Sequence, residues 1–452
     1  LNLVQQGLLE RAFHDGLYPA LLYRAEAQYE EWAANTGTEI FMTRPGLLPA
    51  ITKPLAAGTD PTPQAVAYEQ WGARLERFAG TIDTHTPTSA VSNADQFLRN
   101  IQQLGLQAGM SLNRIPRNAM FQAYLSGQTV LITAASSGQN ALRVASLNGF
   151  TDVVTKGTNV RPATVSNSSP LTITIDPETL NITAQVVGFD PDDPEDLLGP
   201  GTLFLSANLA SNVAVRKSVV SSAAPKVIRA GGGSSVDFIA TSDTFVIQNV
   251  VDAVNYLRKN NVQPHEDGWY HAHINADGNS QVFLDTAFRQ LNQTQIDLPY
   301  YQEAFIGTGG GAAFFLNNES PEDSNAGALT STGTNAKYAS DIGAEVVNET
   351  NVRIGRILIT GRGAMYEKGL DETSYITEAG VTGKIGEFQV VNAGIEVATE
   401  RVRLILRAPI NRLMDQVAAT WSITTSFPIP SDVTSGGPQR YKRAVIIEHA
   451  LN

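Results

Sequence analysis

His271 and His273 stand two residues apart in an alternating segment, so they share one face of an extended strand, with His265, Glu266, Asp267 and Asp277 close by in sequence. Two imidazoles on a strand face can hold zinc if a third ligand converges, the pattern of a metal-dependent hydrolase, though no third ligand or recognisable base is marked. The bland alternative is a strand with one polar face, set against Tyr270, Ala272 and Ile274. No HExxH helix or other zinc spacing accompanies the pair, so the polar strand is the expectation.

Other residues invite similar weighing. Asp190, Asp192, Asp193, Glu195 and Asp196 form an acidic loop of the kind that can hold calcium, but the sixth position from Asp190 is Glu195 where an EF-hand loop needs glycine. A solvated acidic loop is therefore expected. The glycines at 309–311 and 361–363 lack the layouts of phosphate-binding loops, and no GxSxG elbow is present. Arg401, Arg403 and Arg407 share a strand face, and Arg440, Lys442 and Arg443 cluster. Both sets suit a salt-bridged or solvated face better than DNA.

Composition narrows the field. The 452 residues carry 17% charged side chains and a net charge of -12, where typical soluble domains have about 25% charged residues. Low surface charge suits a chain that hides surface against partners, and the acidic balance argues against a broad basic face for nucleic acid. There is no cysteine, which excludes disulfides, thiolate metal sites and a cysteine nucleophile. No run of about 18 apolar residues appears, and the first residues lack the layout of a signal peptide. The chain begins at Leu1, which fits either removal or trimming of an N-terminal piece. Its length exceeds the roughly 250–300 residues at which single cores stop growing, so two or more domains are expected.

The elements that must position these residues follow in order. Residues 3–34 read as a broken helical arm. Strand patterns at 38–43 and 66–82, the second with a phase slip near Glu76, flank residues 44–64, where five prolines accompany Leu47, Leu48, Ile51 and Leu55. Such a ribbon has an apolar tip and no core of its own, and another subunit is the obvious place to bury it.

From Ser92 to Gly127 runs the longest helical pattern. Ala94, Phe97, Leu98, Ile101, Leu104, Ala108, Leu112, Ile115, Ala119 and Ala123 draw one stripe; Asp95, Arg99, Gln102, Asn113 and Arg117 lie opposite. Ser92 with Asp95 has capping-box character, and Pro116 predicts a kink or break. Even a rod ending at Arg114 spans roughly 33 Å, so a large surface must receive it. The stripe is expected to face a sheet built partly by residues 402–449.

Further on, strands at 141–146 and 150–155 precede a β-rich block, with a hairpin of residues 171–175 and 180–186 about Asp176 and Pro177. A helix is expected over 244–261, a strand over 268–275, a helix over 280–291, a loop over 307–337, and strands at 356–360, 388–392, 402–406, 419–427 and 444–449.

This order of arm, ribbon, long helix, strands, inserted β-module and closing strands resembles the major capsid proteins of tailed double-stranded DNA bacteriophages, the Hong Kong 97-type fold. The resemblance rests also on residues 247–262 followed by Pro264, Gly268, Tyr270 and Ile274, on 361–366, and on 440–449. It implies an α+β chain with an N-terminal arm (1–36), an extended loop (37–91), a peripheral domain with the spine helix (92–159), a β-rich insertion domain (160–235), an axial domain (236–384) and returning peripheral strands (385–452). It implies a non-enzymatic coat protein without catalytic, cofactor or metal residues. Hexamers and pentamers would close an icosahedral head around DNA held without sequence-specific contact, with scaffolding, portal or decoration proteins as partners and no membrane. Assembly would take place in the host cytoplasm and the product would be the virion capsid. Some members crosslink a loop lysine to a neighbour's asparagine; Lys53 is the one lysine in this loop, but nothing marks its partner, and that chemistry is not carried over. The rival readings are the hydrolase using His271 and His273, a cellular encapsulating nanocompartment of the same fold, and a β-rich adhesin or fibre.

Overall fold

The computed structural model describes residues 11, 13, 22–33, 36–46, 48, 50–85, 96–155, 159–234, 236–292, 307–317, 346–347, 352–370, 394–397, 402–407, 415–433 and 438–451. These mix sheets and helices as an α+β chain. They fall into two compact units, one of Leu1–Phe41, Gly72–Ala119 and Met365–Pro428, the other of Met42–Trp71, Met120–Ala364 and Ile429–Asn452.

The first unit is a sheet with a long helix on it. Its strands follow the order 27–31, 365–369, 416–426, 402–407 and 394–397, and strand 76–85 pairs with 416–426 along ten residue pairs. Helix α1, Gln96–Tyr124, lays Ile101, Leu104, Ala108 and Leu112 on Val402, Leu404, Ala419, Trp421 and Ile423. The three- and four-residue spacing puts these side chains on one face, where each large apolar group buried is worth roughly 1.5–3 kcal/mol. Trp421 faces Gly80 across the ladder, and a Cβ there would lie 2.6 Å from the indole nitrogen, so the bare glycine is what lets the ring lie flat. The indole N–H donates to Gln107 Oε1 at 3.4 Å.

Several expectations change here. Helix α1 continues through Pro116 to Tyr124 with no break. An interior proline costs about 3 kcal/mol or more through the lost bond and the clash of its ring with the preceding turn, and beyond it Met120, Phe121 and Tyr124 are fully buried, which offsets that loss. The expected stripe holds up to Leu112, but Ile115, Ala119 and Ala123 are only half-buried. Asn113 and Arg117, expected on the polar face, are buried, and Asn113 Oδ1 accepts the Tyr23 amide at 2.8 Å. Ser92 and Asp95 lie outside the described residues. Within the expected helical arm, Ala27–Glu31 is a strand paired in parallel with Met365–Gly369, secured by a buried Arg24–Glu367 ion pair at 2.6 Å. A free sheet edge outbid local helix propensity.

The second unit holds a barrel, a second sheet and the ribbon's outer part. The barrel strands run 128–130, 218–221, 171–175, 182–191, 201–205 and 141–144. Bonds from Ala145 N to Val130 O and from Ile132 N to Arg143 O join the last to the first and close it. The hairpin appears as expected, Ile175 opposite Ile182, its ends turned by Asp176 and Asn181 at positive φ. The inner face is one apolar cluster including Leu142, Ile173, Ile175, Val186, Leu203 and Val219. This barrel recruits residues 128–144, upstream of the boundary expected at 160.

The second sheet orders strands 227–229, 444–450, 353–360, 270–274, 312–316 and 308–309, with 346–347 beside 353–360. Helix α2, Ile247–Lys259, covers it through Val250, Ala253, Val254 and Leu257 against Ala272, Ile357, Ile359, Val445 and Ile447. On the opposite face Glu448 sits between Arg229 at 2.8 Å and Arg356 at 2.9 Å, one residue from each of three adjacent strands. Strand 444–450 therefore belongs to this sheet and not to the one under α1. Part of the expected loop at 307–337 is also strand, because Ala312–Leu316 pairs in parallel with Tyr270–Ile274. The expected helix over 280–291 divides into Ala276–Leu284 and Thr286–Asn292. The expected strand at 388–392 lies outside the described residues.

Candidate functional site

The phase slip at Glu76 marks a change of partner. Strand Tyr68–Arg74 pairs with Glu39–Pro45 in a two-stranded ribbon, while Glu76–His85 joins the sheet. Bonds from Leu75 N to Thr38 O and from Gly46 N to Ala67 O bracket the ribbon ladder. Beyond Gly46 regular pairing ends, because proline has no amide to donate. Residues 50–65 are exposed throughout, and Leu48, Ile51 and Leu55 are 50%, 78% and 60% exposed. These are large apolar side chains on a segment with no second layer over it among the described residues.

The ribbon's outer root is held firmly. Arg44 lies over the Trp71 ring and pairs with Glu69 at 2.9 Å and with Asp432, both acids buried. Asp432 adopts a left-handed φ of 53°, where its carboxylate accepts from Arg443 at 3.1 Å and from the Lys442 amide at 3.2 Å. Lys442 Nζ donates to the Asp432 carbonyl at 3.1 Å, and Ser431 Oγ to Glu69 at 3.3 Å. Tyr124 donates to the Ala364 carbonyl at 2.8 Å, and burial first, then Asp432, pushes its hydroxyl pKa well up. Next to this network, a cavity of about 310 Å³ is lined by Arg44, Arg362, Lys442 and Arg443 with Asn260, Asn261 and Gln263. Glu69 and Asp432 carried no signal in the sequence: a lone acid in a strand and another in a proline-rich turn look solvated until the fold sets arginines around them.

The chemistry-bearing residues are placed as follows. His271 and His273 both pack against Phe315, at ring distances of 4.8 and 5.8 Å, and His273 is buried. The imidazole brought onto His271 is that of His265, stacked at 3.9 Å and 10°, with Asp267 Oδ2 3.0 Å from His271 Nε2 and Thr360 Oγ1 3.2 Å from His265 Nε2. Burial raises the Asp267 pKa, but the Trp269 amide and His271 outweigh it and hold the carboxyl below its usual range.

Arg440 pairs with Asp152 at 2.8 Å and lies over the Tyr441 ring, so its cluster is salt-bridged, as expected. Arg403 is half-buried and lies opposite Glu396 in the ladder; Arg401 lies outside the described residues. The acidic loop is exposed, with Asp192 on Arg143 at 2.6 Å and Asp196 Oδ1 accepting the Leu198 and Gly199 amides. Gly310 and Gly311, at φ 61° and 94°, turn the chain tightly between two strands and lie against Val250 and Val254, a structural role. Lys53 is exposed on the ribbon tip.

No family model and no curated protein matches the sequence. Among solved structures, the chain is similar to the capsid of cyanophage P-SCSP1u, with a TM-score of 0.48 and 11% identity, over 96% of this chain and 89% of that one. It is similar to the capsid of Ralstonia phage GP4, with a TM-score of 0.46 and 9% identity, over 94% and 87% of the two chains. The likeness to the cyanophage Pam1 capsid has a TM-score of 0.47 and 8% identity, over 97% and 92%. Capsid or head structures of Helicobacter pylori bacteriophages KHP30 and KHP40 and of bacteriophage PhiM1 are also matched, over 94–95% of this chain.

Proposed function

We propose that this chain is the major capsid protein of a tailed double-stranded DNA phage, a non-enzymatic subunit of the Hong Kong 97 type. The observation that carries this reading is the ribbon: a rigidly rooted hairpin with Leu48, Ile51 and Leu55 exposed at a tip that has no core. Exposed apolar surface of this kind is removed from water by a partner. A shell subunit must bury on the order of 2,000–5,000 Å² or more in obligate interfaces, and a projecting ribbon supplies such area without cysteine.

In this reading residues 1–36 are the arm, 37–91 the extended loop, and α1 the spine of the peripheral domain, its strands returning within 385–452. The barrel, with residues 128–144 added, is the insertion domain expected at 160–235, and the α2 sheet, with strands 227–229 and 444–450 added, belongs to the axial domain expected at 236–384. Copies assemble in the host cytoplasm as hexamers and pentamers and end as the virion shell, with scaffolding, portal or decoration proteins as partners. The net charge of -12 fits a container that encloses DNA without gripping it, since a basic lining would hold DNA by counterion release.

Negative-stain electron microscopy of the full chain expressed at high concentration should show closed shells or capsomers. A compact monomer at every concentration, with source particles whose shell is another protein, would sink the proposal.

A further inference from the structure

Two features remain unused by this reading, and their charges are opposite. The cavity at the ribbon root is a built recess, with Lys442 and Asp432 each 1% exposed in its wall. Arg44, Arg362, Lys442 and Arg443 bring four positive charges, while Asp432 and Glu69 supply two negative charges inside the network. The remaining acid, Glu266, sits on the rim 3.3 Å from Arg362 and is 85% exposed, so it neutralises little. Helix α2 ends here, but the Asn260, Asn261 and Val262 amides cap its last carbonyls and blunt its negative end. The recess is therefore a net cationic pocket with amide donors, in a chain whose overall charge is -12.

The opposite feature is the acidic loop of the barrel. Asp193 Oδ1 accepts the Glu195 amide at 2.9 Å and Asp196 Oδ1 accepts the Leu198 and Gly199 amides, so the loop is shaped from within. That leaves the Glu195 carboxylate exposed and in no ion pair among the described residues, next to Leu197, 52% exposed. Among those residues no ion pair joins the loop to the recess of its own chain. We infer that the recess receives the Glu195 carboxylate of a second copy, so that the barrel of one subunit locks onto the ribbon root of another. A carboxylate between guanidinium groups makes short charge-assisted bonds, and a recess strips water that would otherwise screen them. A phosphate from DNA has the same charge sign, but a chain with a net charge of -12 disfavours the extended backbone of a duplex more than a single protruding side chain.

The inference rests on the shell reading, and a charge swap separates the two. Arg362→Glu and Glu195→Arg alter exposed side chains, so each variant should keep the wild-type circular dichroism and melting temperature. With full chains expressed without phage DNA, each single variant should lower the sedimenting shell fraction by about fivefold, and the double variant should restore most of it. Wild-type shells with unaffected single variants, or a double variant no better than the singles, would overturn the inference alone. A wild-type chain that never forms shells would overturn the shell reading together with it. Unchanged assembly of Arg362→Glu, with weaker retention of a DNA oligonucleotide by the shells, would assign the recess to phosphate and reject the carboxylate.

Discussion

The barrel and the ribbon tip are both excursions from packed sheets, and they solve the problem of apolar surface in opposite ways. The barrel spends its apolar residues inward: Leu142, Ile173, Val186, Leu203 and Val219 are buried within a closed ring of strands. The tip turns Leu48, Ile51 and Leu55 outward, beyond the paired strands and with no second layer over them among the described residues. A closed barrel has satisfied edges and a dry core, so it stands alone. A two-stranded ribbon is marginal by itself and is kept in shape by its root, where Arg44 joins the buried acids Glu69 and Asp432. One excursion is complete within the chain; the other, on the proposed shell reading, is complete only in an assembly.

The largest effect should come from turning the tip polar. Ile51→Asp with Leu55→Asp should cut the shell fraction by at least about tenfold, because these residues would be central anchors of an interface. The melting temperature of the unassembled chain should hardly move, since exposed substitutions change stability by about 0.5 kcal/mol or less. A large fall in that melting temperature would show that the tip packs within its own chain and would break the contrast.

The barrel should answer the other way. Leu203→Ala should destabilise the monomer by about 2–5 kcal/mol through lost burial and a residual cavity, as chemical denaturation would measure. If unfolding were unchanged while assembly failed, the barrel's core would not be the self-sufficient unit its burial implies.

The second sheet offers a smaller, pH-graded test. Burial holds the His449 pKa down at about 4 from an ordinary 6.5, so the unfolded chain takes up the proton more readily. Its contribution to stability is complete above about pH 6.5 and is lost progressively as pH falls towards 4, by roughly 3 kcal/mol in total. Denaturant titrations across this window should steepen with acidity in the wild type and flatten in His449→Gln. On the same sheet burial raises the Glu448 pKa, but Arg229 and Arg356 more than offset it and hold that carboxyl below its ordinary range. Equal slopes in both proteins would remove His449 as the acid-sensitive point.

How much of this was legible in the residues differs from element to element. The apolar stripe of α1 as far as Leu112, the hairpin at 171–186 and helix α2 follow from spacing alone, since side-chain direction is set by local geometry. The slip near Glu76 was visible as a slip, but only the pairing shows that it is an exchange of partners, from ribbon to sheet. The candidate surface was half legible: prolines with leucines announced an apolar tip, whereas the acids that fasten its root gave no sign.

The sequence by itself determined the stripe of α1 as far as Leu112, the hairpin at 171–186 and helix α2, that no thiol chemistry is available, and that an apolar ribbon lacks a core of its own. Only the tertiary structure decided that α1 survives Pro116, that residues 27–31 form a strand, that strand 444–450 joins the α2 sheet, and that His271 stacks on His265. The reason is the range of the forces. Periodicity, capping and turn residues act over a few positions, whereas burial of Met120 and Phe121, sheet pairing between residues 27 and 365, and the field around Asp432 come from partners tens to hundreds of residues away.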